Sequence, residues 1–427
     1  MKQFKFLPLS LSVAAVLGAA PALANSEIEE LQQRLSALEE KAVTLDYFDD
    51  QQPAILPAEL DVPLGVVFSG YARYGSAFET DDAKYVNSDG ALNGNATGRL
   101  GNEGNGGEFQ FAKIFENDEG AIWNVAVMLE HWGDDVGLKK FYAGVSNLFD
   151  AQPDLYLWAG RDFNQRPQIG LNDYFWMNHD GQGAGFYNLG LGGNVGFDLS
   201  VVAQADGNGS PGDNGRYAVT SKLHSINFGP ADLSFFANYG FSSDSVEDND
   251  TGDTANTAYQ LATQLSMFGQ NLVVRYSDNA KDSVFDLAKD QEAMLVSLDG
   301  TYSVTNQIGL EYQTAYQSLE GKDIDDRVNY NVIVRPTYAW NNTHSTWLEG
   351  GYNVVDFDDI DAKNTSWKTT ISQNISFGDM GTARPMLRFY ATYGNSDNEY
   401  TVRNDDGTLA TRDEDTLTVG AMFEAWW

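Results

Sequence analysis

Apolar and polar residues alternate with a period of two along most of the chain. In the segment FSGYARY, Phe68 and Tyr74 lie on one face, and Tyr71 and Arg73 lie on the opposite face. This alternation is typical of β-strands whose two faces meet different environments. It predicts an all-β fold for most of the chain.

The last segment, residues 416–427, shows the alternation most clearly. One face is apolar and holds Leu417, Val419, Ala421, Phe423, Ala425 and Trp427. The other face holds Thr416, Thr418, Gly420, Met422, Glu424 and Trp426. A strand that is apolar outside and polar inside, and that ends on an aromatic residue, is typical of the closing strand of an outer-membrane barrel.

The apolar face recurs over residues 66–427 without a helical segment or a domain break. A soluble β-sandwich also alternates, but it buries this face against a second sheet. In lipid every backbone polar group needs a partner, and among sheets only a closed barrel provides one for each strand. At roughly 20 residues per strand and connection, the chain has room for about 16 to 18 strands. We therefore predict that residues 66–427 form a transmembrane antiparallel β-barrel with a water-filled lumen.

Residues 1–24 have the features of a cleavable secretory signal. They combine a basic start, a short apolar run and the sequence Ala22-Leu23-Ala24 before the expected cleavage site. The apolar run is too short for a membrane-spanning helix, and no later window holds 18 uncharged apolar residues. We expect an exported protein without a transmembrane helix.

Residues 25–46 predict a short periplasmic coiled coil. Apolar residues recur three and four positions apart, at Ile28, Leu31, Leu35, Leu38, Ala42 and Leu45. An isolated helix of this length is marginal in water, so the prediction requires several chains held together. A single amphipathic helix on the membrane is the alternative, and the acidic polar face argues against it. Residues 47–65 contain three prolines and are predicted to be a linker.

Composition excludes several classes of function. The absence of Cys rules out a disulfide scaffold, thiol catalysis and cysteine metal sites. The net charge of −35 argues against nucleic-acid binding. Many of the acidic residues are clustered, at residues 81–82, 244–253, 323–326, 356–361 and 413–415. We interpret these clusters as solvated loops; a loop-bound divalent cation is the alternative, although none has EF-hand spacing. No other cofactor is expected.

Catalysis is not expected either. Carboxylates for acid–base work are abundant, but the four histidines are scattered over different segments, at His131, His179, His224 and His344. The chain also lacks a Gly-x-Ser-x-Gly motif. The sequence therefore indicates a channel rather than an enzyme.

Eight segments carry a family resemblance, in order at 68–73, 98–103, 158–161, 165–166, 173–185, 334–340, 384–393 and 426–427. In these segments the chain resembles the maltoporin and sucrose-porin family of outer-membrane carbohydrate porins. The heptad segment and Gly104–Glu108 resemble the sucrose-porin branch more closely. The resemblance implies a homotrimer of 18-stranded barrels in the outer membrane of a Gram-negative bacterium, in contact with its lipid and lipopolysaccharide. It also implies that the third loop, about residues 161–180, folds inward and narrows the pore.

The resemblance further implies facilitated diffusion of oligosaccharides, maltodextrins or sucrose-like sugars, past a series of aromatic rings flanked by charged residues. A pyranose face of C–H groups stacks on a ring, and its hydroxyls favour charge-assisted hydrogen bonds. A general, weakly cation-selective porin is the alternative, because the loops are so acidic.

Family positions carry over to two sets of residues. The expected sugar-stacking rings are Tyr71, Trp132, Phe268 and Trp426. Trp132 matches the ring that the family inserts into the neighbouring subunit's pore, and Phe268 lies one residue from its family position. The expected polar track and constriction consist of Arg73, Arg99, Glu108, Lys139, Arg166, Asp173, Phe175 and Asn178.

Other roles stay open for some of these residues. Wall packing is the alternative for Tyr71, and a ring at the membrane interface is the alternative for Trp426. Arg166 and Asp173 can instead pin the third loop to the wall.

The chain departs from the family pattern at two rings. Thr382 stands where the family has a Trp, and one aromatic position falls within the glycine-rich stretch 104–107. Strand parity then places Glu108 inward and Phe111 outward. The loss of two rings predicts a wider and less selective sugar channel.

Overall fold

A computed structural model describes residues 66–79, 85–133, 135–205, 215–243, 254–322, 324–358, 360–401 and 414–427. The predicted signal segment, coiled coil and linker, residues 1–65, lie outside the described residues. Within the described ranges, no helix has the length and apolar character that a membrane-spanning helix requires.

The described part of the chain forms twenty strands. They are β1 Val66–Glu79, β2 Gly106–Glu116, β3 Ile122–Trp132, β4 Val136–Ser146, β5 Tyr156–Asp162, β6 Gln168–Ile169, β7 Tyr174–Phe175, β8 Gly181–Gly192, β9 Val195–Gln204, β10 Arg216–Phe228, β11 Ala231–Ser242, β12 Thr257–Met267, β13 Gln270–Asp278, β14 Gln291–Ser303, β15 Ile308–Gly321, β16 Arg327–Ala339, β17 His344–Phe357, β18 Ala362–Ser376, β19 Met386–Asn398 and β20 Glu414–Trp426.

Eighteen of these described strands close into a barrel. Each pairs antiparallel with the strands before and after it, whereas β6 and β7 form a separate two-stranded ribbon. The first and last strands close the barrel in a register that runs from Tyr71 opposite Trp426 to Glu79 opposite Thr418. The predicted transmembrane antiparallel β-barrel of about 18 strands is confirmed.

The two faces of the wall have the predicted polarity. On β20, Val419 is 55% exposed on the outside, while Thr418 and Glu424 are completely buried on the inside. On β2, Glu108 points inward and Phe111 outward, as strand parity predicted. The apolar face therefore surrounds the barrel and the polar face lines the lumen.

The connections differ at the two ends of the barrel. The first strand begins and the last strand ends at the short-turn end, where β12 and β13 are joined by only two residues. The long-loop end carries the connections 80–105, 163–180 and 279–290, which we call loops 1, 3 and 6. The described residues of these loops lie largely inside the barrel, where Leu100, Met177 and Leu287 are completely buried.

Candidate functional site

Loop 3 packs on an apolar patch of the inner wall. Its buried side chains are Ile169, Tyr174, Trp176 and Met177, and they contact Phe236, Ala262, Val273, Leu295 and Ala315 of β11–β15. The ring of Trp176 meets that of Phe236 edge to face, with centroids 5.5 Å apart. These contacts hold the loop across the lumen, and the predicted inward fold of the third loop is confirmed.

Asp173 ties loop 3 to the opposite wall. It lies after the first strand of the β6–β7 ribbon, in the left-handed region at φ 59°. Its carboxylate accepts a hydrogen bond from Arg73 of β1 at 2.7 Å and another from Gln168 at 2.8 Å. Arg73 also donates to the Gly104 carbonyl oxygen at 3.0 Å. Both residues thus anchor the loop, and neither side chain is completely buried.

Arg166 lies at the centre of the constriction. Its guanidinium carbon lies 4.2 Å from the Phe163 ring centroid and 4.1 Å from that of Phe175, close enough for cation–π attraction. Its nitrogens lie 3.7 Å from the Glu108 carboxylate and 3.4 Å from that of Asp180. The structure therefore brings together Arg166, Phe175 and Glu108, three of the residues that the sequence analysis named for the constriction.

Lys139 lies beside this cluster on β4. Its ammonium nitrogen is 3.2 Å from Glu130 and 3.8 Å from Asp180. A register shift in the pairing of β3 with β4 lies next to it, and the following residue, Lys140, forms an ion pair with Asp162 at 3.1 Å. The constriction is thus lined by cations and carboxylates in close pairs.

Asn178 holds the end of loop 3. Its backbone N–H donates to the Asp282 carbonyl oxygen at 3.1 Å, and its side-chain oxygen accepts from the Asp180 N–H at 2.9 Å. The side chain is half-buried, which leaves it partly open to the lumen.

Three rings form a row on the wall at β1, β3 and β20. Tyr71 lies between the other two, with centroids 6.4 Å from both Trp132 and Trp426. Tyr71 is only 3% exposed, and its hydroxyl donates to Glu424 at 3.0 Å. Trp426 is half-buried and Trp132 is 41% exposed. In this arrangement Tyr71 supports the rings of Trp132 and Trp426, which are both more accessible than its own.

Phe268 lies away from this row. It occupies the two-residue turn between β12 and β13 at the short-turn end, with its side chain 75% exposed. The row consists of rings on β1, β3 and β20, so the structure does not bring Phe268 into it.

Arg99 belongs to a buried charge network that also reaches Asp173 of loop 3, 4.0 Å away. It donates to Glu424 at 2.8 Å and lies 3.2 Å from Glu103. Glu424 also accepts from Arg384 and Arg388. The Arg384 guanidinium lies 4.4 Å from the Trp426 ring centroid, so the network supports one end of the ring row.

The sequence analysis did not predict that loops 1 and 6 fold into the lumen. Loop 6 packs Val284, Phe285 and Leu287 into the lumen, and the Val284 N–H donates to Nε2 of His179 at 3.2 Å. Burial, helped by the positive charge of Arg275, lowers the pKa of His179 to about 3. The run Val284–Phe285 amid polar residues was the only sequence signal for a buried loop 6.

The residues that the structure describes contain no group of three or more His, Cys, Asp or Glu placed to hold a metal ion. The clusters 81–82 and 244–253 lie outside the described residues, as do parts of the other three.

The comparisons with known proteins identify the family. The model of the LamB porin family matches residues 66–427. The chain belongs to this family. This LamB porin is therefore a channel of the Gram-negative outer membrane and not an enzyme.

Its relatives include maltoporins. The maltoporin of Vibrio cholerae serotype O1, strain El Tor Inaba N16961, is 28% identical over 410 residues, which cover 85% of this chain and 95% of the relative. The maltoporin of Photobacterium profundum is 26% identical over 416 residues, with 85% and 94% covered. An anion-selective porin structure from Comamonas acidovorans covers 84% of this chain and 99% of its own, at 13% identity and a TM-score of 0.45.

Proposed function

We propose that this LamB porin lets maltodextrins or sucrose-like oligosaccharides diffuse along the Trp132–Trp426 row and past the Arg166 constriction. Membership of the family makes the chain a carbohydrate-selective porin. Two partly exposed rings beside a wall of paired charges support this path.

The chemistry of this surface suits a sugar. The indole rings of Trp132 and Trp426 offer apolar faces to the C–H side of a pyranose. Arg73, Arg166 and Asp173 offer charged groups for the surrounding hydroxyls. Several weak contacts in series let a sugar bind and also leave, as conduction requires.

A general cation-selective porin is the second candidate, because the loops are acidic. At the constriction, however, Asp173 and Asp180 each lie within 4 Å of an Arg or Lys nitrogen. Glu108 lies 3.7 Å from Arg166. Paired carboxylates leave little net negative charge to attract cations, so this pairing favours the sugar channel.

The assembly belongs to the same proposal. We infer a homotrimer whose outer surface meets outer-membrane lipid and lipopolysaccharide. The long-loop end then faces the outside of the cell and the short-turn end faces the periplasm, as in other outer-membrane barrels. The predicted coiled coil would join the three subunits on the periplasmic side.

Sugar block of single channels tests the function. Wild-type protein in a planar bilayer should lose conductance in a saturable manner as maltotriose or sucrose is added. Trp426→Ala should raise the half-blocking sugar concentration by about two- to tenfold, the loss expected for one aromatic contact.

Trp123→Ala is the matched control, because Trp123 is 43% exposed on the outer face of β3. Its half-blocking sugar concentration should equal that of the wild type. A wild-type conductance that stays constant at every concentration of both sugars would instead identify a general porin.

A further inference from the structure

Trp132 reaches the ring row by crossing a neighbouring strand. It is the last residue of β3, on the inward face that also carries Ala126 and Met128. Strand β2 separates β3 from β1, yet the Trp132 ring lies 6.4 Å from Tyr71 of β1. The Arg73 guanidinium carbon lies 5.2 Å from the Trp132 ring centroid. The ring must therefore cover the inner face of β2.

Gly106 is the residue of β2 that lies under this ring. In the strand register it stands between Arg73 on one side and Trp132 on the other. A Cβ atom at Gly106 would overlap Cε3 of the Trp132 ring and would lie 2.6 Å from Cδ2. It would also lie 2.5 Å from the His131 carbonyl oxygen. Only a residue without a side chain leaves room for the ring.

The position of Trp132 differs from the one that the family resemblance implied. Its ring is fixed to the inner face of its own barrel, and only three residues connect β3 to β4. The family's aromatic position within the stretch 104–107 has lost its own ring in this chain. Trp132 covers that place from the adjacent strand, so the row of rings is continuous over β20, β1 and β3.

We propose that Gly106 determines sugar affinity by admitting Trp132 into the lumen of its own barrel, where the ring forms a stacking site for a pyranose. This inference rests on the proposed sugar-channel function. The exposed 41% of Trp132 supplies the stacking face, and Tyr71 and Arg73 hold the ring in place. The site then needs no residue from a neighbouring subunit.

The test compares Gly106→Ala with Gly137→Ala in the assembled channel. Gly137 lies at the same end of the barrel on β4, the next strand after β3, and a Cβ there would meet only the Glu130 side chain, at an ordinary 3.7 Å. Gly106→Ala should raise the half-blocking concentration of maltotriose by about two- to tenfold, because the ring is displaced from Tyr71. Gly137→Ala should leave it unchanged.

Trp132→Ala removes the ring without any overlap, so it tests the site even if Gly106→Ala assembles poorly. It should weaken maltotriose block to the same extent. The half-blocking concentration of maltotriose for the double variant should be no higher than for Trp132→Ala alone, since both changes remove the same contact.

The outcomes separate this inference from the proposed function. If maltotriose and sucrose block the wild type but block the Gly106 and Trp132 variants equally well, the stacking site is wrong and the sugar channel stands. Additive losses in the double variant would also overturn the role of Gly106. If neither sugar blocks the wild type, the proposed function itself fails.

Discussion

Two charged regions of the same lumen differ in how completely their charges are enclosed. The first, which we call the loop 1 wall, joins loop 1 to β16–β20 through Glu349 and Glu424, both completely buried. The second is the constriction around Arg166, where the side chains of Arg166 and Asp180 are 14% and 19% exposed. The same residue types thus occur in one region that is closed to solvent and in another that is partly exposed to it.

The carboxylates of the loop 1 wall are surrounded by donors. Glu424 accepts hydrogen bonds from Tyr71, Arg99, Arg384 and Arg388. Glu349 accepts from Arg335 and Lys368 and from the Leu100 N–H. A buried ion is tolerated only when its hydrogen-bonding capacity is satisfied in this way.

Arg166, at the centre of the constriction, is held by fewer and longer contacts. Arg166 meets its two carboxylates at 3.4 and 3.7 Å and relies on two aromatic rings for the rest of its surroundings. Such groups keep some hydrogen-bonding capacity for a passing solute. Burial, rather than charge, therefore separates Arg166 and Asp180 from the residues that hold loop 1.

The largest expected effect on stability comes from Glu424→Gln. The change keeps the shape but leaves three arginines beside a neutral amide, and breaking a buried ion pair costs about 3–5 kcal/mol. The free energy of unfolding in detergent, measured by urea titration, should fall by that amount. Glu119→Gln, at an exposed turn, is the control and should unfold like the wild type. A wild-type midpoint for Glu424→Gln would show that the loop 1 wall is not the stabilising region.

A smaller effect is expected from His179, which joins loop 3 to loop 6. Its pKa of about 3 in the folded protein lies below the ordinary value of 6.5. Between these values the unfolded chain binds a proton that the folded chain does not. Its contribution to stability is therefore complete above pH 6.5 and is lost as the pH falls toward 3. From pH 7 to pH 5 the loss should be about 2 kcal/mol.

Urea unfolding of the wild type and of His179→Gln at pH 7 and pH 5 measures this effect. The glutamine keeps an acceptor for the Val284 N–H but does not titrate. Between pH 7 and pH 5 the free energy of unfolding of the variant should therefore fall by about 2 kcal/mol less than that of the wild type. His344→Gln changes an exposed histidine and should keep the wild-type pH dependence. Equal pH dependence in all three proteins would contradict a neutral, buried His179.

The smallest effect on stability is expected from Arg166→Gln. Removal of a partly exposed cation with long ion contacts should cost about 1 kcal/mol. Single-channel conductance should nevertheless change clearly, because the guanidinium no longer lies between Phe163 and Phe175. Arg161→Gln, on the outward face of β5, should change neither quantity. A loss of stability as large as that of Glu424→Gln would remove the distinction between the two regions.

The sequence predicted the parts of the site that follow from strand parity. Alternation placed Tyr71, Glu108 and Trp426 on the inner face, and the family resemblance placed Phe175 and Arg166 at the constriction. Neither signal measures exposure, so the sequence left a sugar-stacking ring and wall packing as alternatives for Tyr71, which the structure buries between Trp132 and Trp426. The resemblance places Trp132 in a neighbouring pore. Its contact with Tyr71 across Gly106 could not be predicted from the sequence, because that contact depends on β1, β2 and β3 lying side by side.

By itself the sequence determined a closed barrel with an apolar outside and a polar inside, because a period of two is a local property of each strand. Which inward groups meet was decided only by the tertiary structure. Arg99 and Glu424 are 325 residues apart in the chain, yet they form one ion pair inside the closed barrel. Loops 1, 3 and 6 converge in the lumen because barrel closure gives their apolar side chains an inner wall to pack on. The loop residues themselves show no periodic pattern that would predict this packing.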